Sequence, residues 1–220
     1  MRLLGLMSRL LLIATISWLG SLHAAEGDAL ERIGMRIQQY QVVRADFTQT
    51  KQMTAMKRPL VTAGRLVFSR KHGVLWQIEE PFRMSYVLGE DKIVEIGSDG
   101  VRRERSLREV PGLIQVGRVF RALLGANSSA LREYFETTVR GEAGRWEIDL
   151  TPRQPQLAQF LAGLQLSGSV FVDILRINEA GGDVTQIRFY NSQGASAPSA
   201  AELLLFNGEA SATSPRLSKP

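Results

Sequence analysis

The chain of 220 residues contains no cysteine and only two histidines, His23 and His72. Without cysteine it can form neither disulfides nor thiolate metal sites, and it has no cysteine nucleophile. Zinc and iron sites usually combine several histidine, cysteine or carboxylate ligands, so the scarcity of histidine argues against the common metalloenzyme designs. Glycine-rich phosphate loops of the GxxxxGK[ST] or GxGxxG type are also missing, which leaves nucleotide binding without local support.

The N-terminal segment has the layout of a secretory signal peptide. Arg2 and Arg9 precede an apolar stretch of 13 residues, 10–22, which is followed by His23 and two alanines. Thirteen residues are too few to span a bilayer but fit the core of a signal peptide. We predict that residues 1–25 are a cleaved signal, cut after Ala24 or Ala25, and that the protein is exported; the alternative is a retained membrane anchor. No cysteine follows the apolar stretch, so we do not expect a lipoprotein.

Removal of the signal lowers the net charge. It takes away two arginines and no acidic residue, so 25 basic residues remain against 22 acidic ones, and the charge falls from +5 to +3. A surplus of this size is ordinary for a soluble protein and gives little support for nucleic-acid binding. The dense basic run at 102–105 fits a solvated strand or loop edge, with a site for an anionic partner as the alternative. We therefore expect no nucleic-acid partner.

Apolar and polar residues alternate along much of the remaining chain. Trp146, Ile148 and Leu150, for example, alternate with charged residues, which is typical of a strand with one buried face. Comparable stretches are separated by Gly, Asn, Asp and Pro, as antiparallel sheets require. Strands are predicted at 43–53, 61–69, 73–79, 82–88, 91–97, 100–106, 134–140, 145–150, 169–177, 184–190 and 200–206.

Helical spacing is less frequent. Within 28–41 the apolar residues recur at steps of three and four, which indicates an amphipathic helix. A second helix is predicted at 111–124 and a short one at 128–132. The stretch 156–164 fits either a helix or a loop.

One domain accounts for the whole pattern. No internal repeat, low-complexity linker or break in composition divides the chain. We predict a single domain over 26–207 and a flexible tail over 208–220, which is rich in Ser, Ala, Thr and Pro. The predicted fold class is mainly β (α+β), with a strongly curved antiparallel sheet and two or three helices on one face.

Few residues remain that could support catalysis. After removal of the signal His72 is the only histidine, and it lies in a predicted hairpin turn with no nucleophile motif nearby. Acidic neighbours such as Glu79 and Glu80 point to opposite faces of a strand, where solvated surface positions are the simpler interpretation. We therefore expect no enzyme activity, no catalytic residue, no metal site and no cofactor.

Large and flexible apolar side chains are concentrated on one predicted face of the sheet. A dry core would explain them. A curved sheet covered by helices offers a second explanation, since it can enclose a cavity for acyl chains or another apolar ligand. The candidate cavity residues are Phe47, Leu66, Phe68, Val74, Trp76, Ile78, Phe82, Met84 and Tyr86.

The order and spacing of several motifs resemble the periplasmic outer-membrane lipoprotein carrier family, LolA. The motifs are Ala45–Gln49, Gly64–Leu66, the run Leu66–Pro81 with Arg70 and Trp76, and the turn Gly89–Lys92, followed by weaker likeness at Trp146–Pro152 and Val184–Tyr190. The resemblance spans most of the chain.

This resemblance implies an incomplete β-barrel with a helical lid over an apolar cavity. It also implies a periplasmic carrier or chaperone, a monomer, that takes lipoprotein acyl chains or other lipid from an inner-membrane ABC exporter to an outer-membrane receptor. In the family an arginine at the position of Arg70 reaches the lid and helps to hold it shut. The alternative for Arg70 is a solvated position at the mouth of a hairpin.

The sequence also departs from the family pattern. Arg70 is followed by Lys71, where the family usually has proline, and Ile93–Ile96 replaces an aromatic pattern. These differences favour a second hypothesis, in which a protein of the same fold is a sensor or accessory protein of a specialised lipid or envelope pathway rather than the housekeeping carrier.

Overall fold

The computed structural model describes residues 19–90, 92–106, 122, 127–142 and 144–208. Eleven antiparallel strands form one sheet. They are β1 (Val42–Gln52), β2 (Leu60–Ser69), β3 (Gly73–Glu80), β4 (Met84–Leu88), β5 (Lys92–Ile96), β6 (Arg102–Ser106), β7 (Phe135–Glu142), β8 (Arg145–Pro152), β9 (Leu161–Gly168), β10 (Val172–Glu179) and β11 (Val184–Ala195).

The strands pair in the spatial order β6-β5-β4-β3-β2-β1-β11-β10-β9-β8-β7. Two meanders, β1–β6 and β7–β11, are joined through the pairing of β1 with β11, in which Phe47 lies opposite Phe189. Within the described ranges β6 and β7 each have one neighbouring strand, so the sheet is open and not closed into a barrel. The predicted fold class, a mainly β fold with an incomplete antiparallel barrel, is confirmed.

Helices accompany the sheet at four places in the described chain: α1 (Leu19–Gln38), α2 (Ser128–Tyr134), α3 (Pro155–Ala158) and α4 (Ala200–Asn207). Two of the short helices begin at residues that favour a helix start. Asn127 Oδ1 accepts a hydrogen bond from the backbone N–H of Ala130 and so caps α2, and Pro155 occupies the first turn of α3. Over the residues described, no helix combines the length and the apolar character needed to cross a membrane.

The last predicted strand, 200–206, is wrong, because these residues form α4. Ser199 and Glu202 build a capping box: Ser199 Oγ accepts from the backbone N–H of Glu202, and Glu202 Oε2 accepts from the backbone N–H of Ser199. Gly208 ends the helix with a φ of 82°, a left-handed conformation that glycine adopts without strain. The hydrogen bonds at the two ends of α4 therefore stabilise a helix more than the run of leucines favours a strand.

The other predicted strands correspond to the structure within a few residues, but the helix predicted at 28–41 begins nine residues earlier, at Leu19, and β9 is absent from the predicted strands. The ambiguous stretch 156–164 divides between α3 and the first half of β9, and the short helix at 128–132 is confirmed as α2. The predicted helix 111–124 lies outside the described residues, apart from Ala122. Of the predicted signal, residues 1–18 lie outside them too, and α1 begins at Leu19.

Apolar side chains cover both faces of the sheet. The larger set, the inner cluster, lies on the face against which α1 packs and contains residues of both meanders. The smaller set, the outer cluster, lies on the opposite face beneath α4. Along β3 the residues alternate between them, with Val74 and Trp76 in the inner cluster and Leu75 in the outer one. The outer cluster consists of Val42, Val67, Leu75, Val87, Val94 and Ile96.

Candidate functional site

Most of the predicted cavity residues meet on the inner face. The period of two along β1–β4 directs them to one side of the sheet, as the sequence predicts. Buried in the inner cluster are Phe47, Leu66, Phe68, Val74 and Trp76, while Ile78 and Tyr86 are partly buried and pack against it.

Phe82 and Met84 are placed differently. β3 ends at Glu80 and β4 begins at Met84, so Phe82 lies in the turn between them with 53% of its surface exposed. The predicted strand start at 82 is wrong, since Pro81 has no N–H to donate to a neighbouring strand. Met84 is half-buried and pairs with Ile78. Phe82 is therefore not part of the buried inner cluster.

Aromatic rings occupy the centre of the inner face, where the two meanders meet. The rings of Phe47 and Trp76 stack with their centroids 3.9 Å apart. Phe189 of the neighbouring meander meets the edge of Trp76 at 6.4 Å. Gly64 lies opposite Phe47 in the sheet register, and a Cβ at Gly64 would lie 1.8 Å from the carbonyl oxygen of Gln77. Only glycine therefore fits at this position.

Two small apolar voids lie on the inner face in the described part of the chain. One, of about 20 Å³, is lined by residues that include Ile37, Leu66 and Phe68. The other, also of about 20 Å³, lies beneath α1 and is lined by residues that include Leu30 and Trp146. Each has room for about one water molecule, whereas ligand pockets usually measure roughly 300–1,000 Å³. At these places the inner face is closed.

Arg70 follows β2 and reaches the connection between α1 and β1. Its Nε donates to the carbonyl oxygen of Tyr40 (2.9 Å), and its backbone N–H donates to the carbonyl oxygen of Gln41 (3.1 Å). Its Nη2 is buried and has no acceptor among the residues described. Burial lowers the pKa of Arg70, although a guanidinium remains protonated at neutral pH. Arg70 thus binds the segment that connects α1 to the sheet.

The predicted site covers only the first meander, whereas the second contributes equally to the inner face. Trp146 anchors this half by donating its Nε1–H to the carbonyl oxygen of Ser169 (2.8 Å). The alternation of apolar and charged residues in β8 is the sequence signal for these positions. The second meander contributes Phe135, Trp146, Ile148, Leu150, Leu161, Leu164, Leu166, Leu175, Ile187 and Phe189.

The remaining polar candidates lie away from this face. His72 occupies the turn between β2 and β3, where its ring stacks on Phe206 of α4 with centroids 5.5 Å apart. Among the described residues no three His, Asp or Glu side chains are grouped so that they could hold a metal ion. The arrangement on the inner face is thus suited to apolar contact.

The sequence matches the model of a family described as outer membrane lipoprotein carrier protein LolA-like over residues 23–202. Among solved structures, a chain of the MucA/MucB complex from Pseudomonas aeruginosa is 13% identical with a TM-score of 0.44; the match covers 81% of this chain and 60% of that one. A LolA superfamily protein from Nitrosomonas europaea is 7% identical with a TM-score of 0.43, over 77% and 95% of the two chains. The lipoprotein LppX from Mycobacterium tuberculosis is 10% identical with a TM-score of 0.44, over 79% and 98%. No curated protein matches the sequence.

Proposed function

Because the chain belongs to the LolA-like family of outer-membrane lipoprotein carriers, we propose that it is a non-enzymatic carrier that shields lipid acyl chains on its inner face. In this proposal it works in the periplasm as a monomer, receives its cargo from an inner-membrane ABC exporter and passes it to an outer-membrane receptor. The observation that supports the proposal is the inner cluster, which joins both meanders and α1 in one apolar surface.

The packing of α1 on the inner face is consistent with a carrier that must also release its cargo. Burial of each acyl methylene contributes about 0.8 kcal/mol, so a permanently open and complementary cavity would hold a long chain too tightly. Leu30, Ile33 and Ile37 of α1 are buried on the inner face, where cargo would compete with them for the same apolar contacts. The free energy of displacing these contacts offsets part of the free energy of acyl burial, which favours transfer.

Native mass spectrometry of the protein purified from the periplasm without detergent tests this proposal. We expect a population with the added mass of a lipid and, after extraction, uptake of one long-chain fatty acid per chain. A protein that carries no lipid and takes up no fatty acid would contradict the proposal.

Two neighbouring variants make this experiment specific to the inner face. Phe68→Ala enlarges a void on the inner face, whereas Leu75→Ala removes a similarly buried side chain from the outer cluster. Each truncation costs about 2–5 kcal/mol of stability. We expect Phe68→Ala alone to change fatty-acid affinity, and an equal change in Leu75→Ala would place the binding site elsewhere.

A second candidate function is supported by the small volumes of the two voids, each about 20 Å³. In this case the protein is a sensor or accessory protein of a specialised lipid or envelope pathway, with the sheet as a packed scaffold. The experiment above distinguishes the two, since a sensor of this kind would be isolated without lipid.

A further inference from the structure

The exposed apolar side chains are distributed unevenly. Ten large ones are exposed in the described part of the chain, and six of them lie at one end of the sheet, where β1, β3, β5 and β10 end. We call this end the hairpin rim; it comprises residues 53–61, 81–83, 97–101, 153–160 and 180–183. Of the other four, Val170 alone lies in a turn at the opposite end. The six on the hairpin rim are Met56, Leu60, Val61, Phe82, Val101 and Phe160.

Hydrogen bonds between loops hold much of the hairpin rim in place. The backbone N–H and Oγ1 of Thr54 donate to Asp183 Oδ1, at 2.9 Å and 3.1 Å. Lys51 Nζ donates to Glu179 Oε1 at 2.6 Å. The backbone N–H of Ala180 in turn donates to the carbonyl oxygen of Phe160 (3.1 Å). The loop after β1, the turn after β10 and the segment after α3 therefore form one connected platform.

Cations lie directly beside two of the apolar side chains of the hairpin rim. Met56 is followed by Lys57 and Arg58, and Phe82 is followed by Arg83. All three cations are exposed, and none of them takes part in an ion pair within the ranges described. Carboxylates also lie at this end. Glu179 and Asp183 accept from Lys51 and Thr54, and Asp99 Oδ1 accepts from the backbone N–H of Val101 (3.0 Å). Glu80 is exposed at the end of β3. The tips themselves thus carry positive charge.

We propose that the hairpin rim docks on the surface of a membrane that contains anionic phospholipids. Met56, Phe82 and Phe160 are 54%, 53% and 59% exposed on separate loops, so they can enter the interface individually as anchors. Cations adjacent to such anchors are attracted to phosphate headgroups, and the two contributions together give reversible binding. Loops that contact only water would need neither exposed apolar side chains nor cations adjacent to them. This surface is separate from the inner face and goes beyond the carrier function.

Cosedimentation of the mature protein with vesicles tests the proposal. Vesicles of phosphatidylcholine alone are compared with vesicles that contain phosphatidylglycerol, at low and high salt. We expect binding to the anionic vesicles that salt weakens, because exposed charges are screened. No binding of the wild type to either vesicle would overturn the proposal.

Paired variants locate the binding to the hairpin rim. Phe82→Ser with Phe160→Ser removes two anchors, and Lys57→Gln with Arg58→Gln removes two cations. Met35→Ser with Val170→Ser is the control, since these side chains are similarly exposed outside the rim. We expect about tenfold weaker vesicle binding for each rim pair and no change for the control. Unchanged binding in the rim pairs, as expected if the rim binds a protein, would overturn the proposal.

Fatty-acid uptake by the same variants separates this proposal from the carrier function. The rim variants should retain uptake, because their substitutions lie outside the inner cluster. If the wild type binds vesicles but takes up no fatty acid, the carrier function is contradicted while the docking surface is still supported.

Discussion

Arg70 holds a permanently charged guanidinium in a half-buried position. Its Nε–H bond to the carbonyl oxygen of Tyr40 connects the end of β2 to the segment that follows α1. Its Nη2 is buried without an acceptor in the described part of the chain, an arrangement that costs desolvation free energy. The hydrogen bond lasts only while Tyr40 stays in place, so we propose that it breaks and forms again as α1 leaves and returns.

We predict that Arg70→Leu still loads a fatty acid but releases it more slowly to acceptor vesicles. A hydrogen bond from a charged donor contributes about 1.5–3 kcal/mol. Without this bond the lipid-free form is less stable, so less free energy favours release of the lipid. The expected effect is about a ten- to hundredfold slower release, measured by stopped-flow transfer of a fluorescent fatty acid.

Arg153 supplies a matched control for Arg70. Its Nε donates to the carbonyl oxygen of Phe135 at 3.0 Å, the same type of bond at the other end of the sheet. Arg153→Leu should lose similar stability without slower release, whereas Arg70→Lys should behave like Arg70→Leu because lysine has no donor at the Nε position. Wild-type release kinetics in Arg70→Leu would remove Arg70 from the closing mechanism.

At the scale of elements, α4 is held on the outer face by a bidentate ion pair. Arg44 Nε and Nη2 donate to Glu202 Oε1 and Oε2, both at 2.6 Å. At the other end of the helix, Arg102 Nη1 donates to the carbonyl oxygen of Leu205 (3.1 Å). Phe206 packs against the outer cluster. Helix α4 thus covers apolar residues of the outer face that would otherwise be exposed to water.

We predict that α4 makes stability depend on pH through Glu202. The hydrogen bond from Arg44 holds the pKa of Glu202 below its usual range. The stabilisation is therefore complete above the unfolded pKa of about 4.3 and is lost as pH falls through the lower folded pKa. Glu202→Gln should lose about 1–3 kcal/mol at pH 7, with a smaller difference from the wild type in acid. Urea unfolding at several pH values measures this.

The exposed pair between Arg65 and Glu79, with Nε and Oε1 3.4 Å apart, is the control for Glu202. Its side chains are largely solvated, so Glu79→Gln should change stability by about 0–1 kcal/mol. Equal effects of Glu79→Gln and Glu202→Gln would mean that the ion pair with Arg44 does not hold α4.

The elements show which sequence signals are decisive. Alternation predicts β4 and β8 most clearly, because one buried face imposes a period of two. It misses β9, which begins in a stretch that fits a helix or a loop. The same criterion failed at α4, where Ser199 and Glu202 stand three residues apart and satisfy the free N–H groups of a helix start. The outer cluster has the same explanation, since a strand at 200–206 would not cover this face, whereas α4 packs Leu205 and Phe206 against it.

At the scale of the whole molecule, the sequence predicts which residues face inward but not how far apart the facing surfaces lie. The alternation in β1–β3 places Phe47, Phe68 and Trp76 on one side of the sheet, and the structure agrees. The space between them depends on how closely α1 and the two meanders approach each other, which is a matter of packing between distant segments. A cavity and a dry core therefore give the same pattern in the sequence.

The last prediction concerns how cargo reaches the inner face. The two voids beside α1 measure about 20 Å³ each, and α1 covers them through Leu30, Ile33 and Ile37. An acyl chain that binds at these places must therefore displace α1. We expect fatty-acid loading to speed hydrogen exchange of the amides at 29–38, by about tenfold for each 1.4 kcal/mol of lost protection. Amides in the central pairing of β1 with β11 should stay protected, which controls for general loosening. If hydrogen exchange in α1 stays unchanged while a fatty acid is bound, the sheet opens elsewhere and α1 is a fixed part of the core.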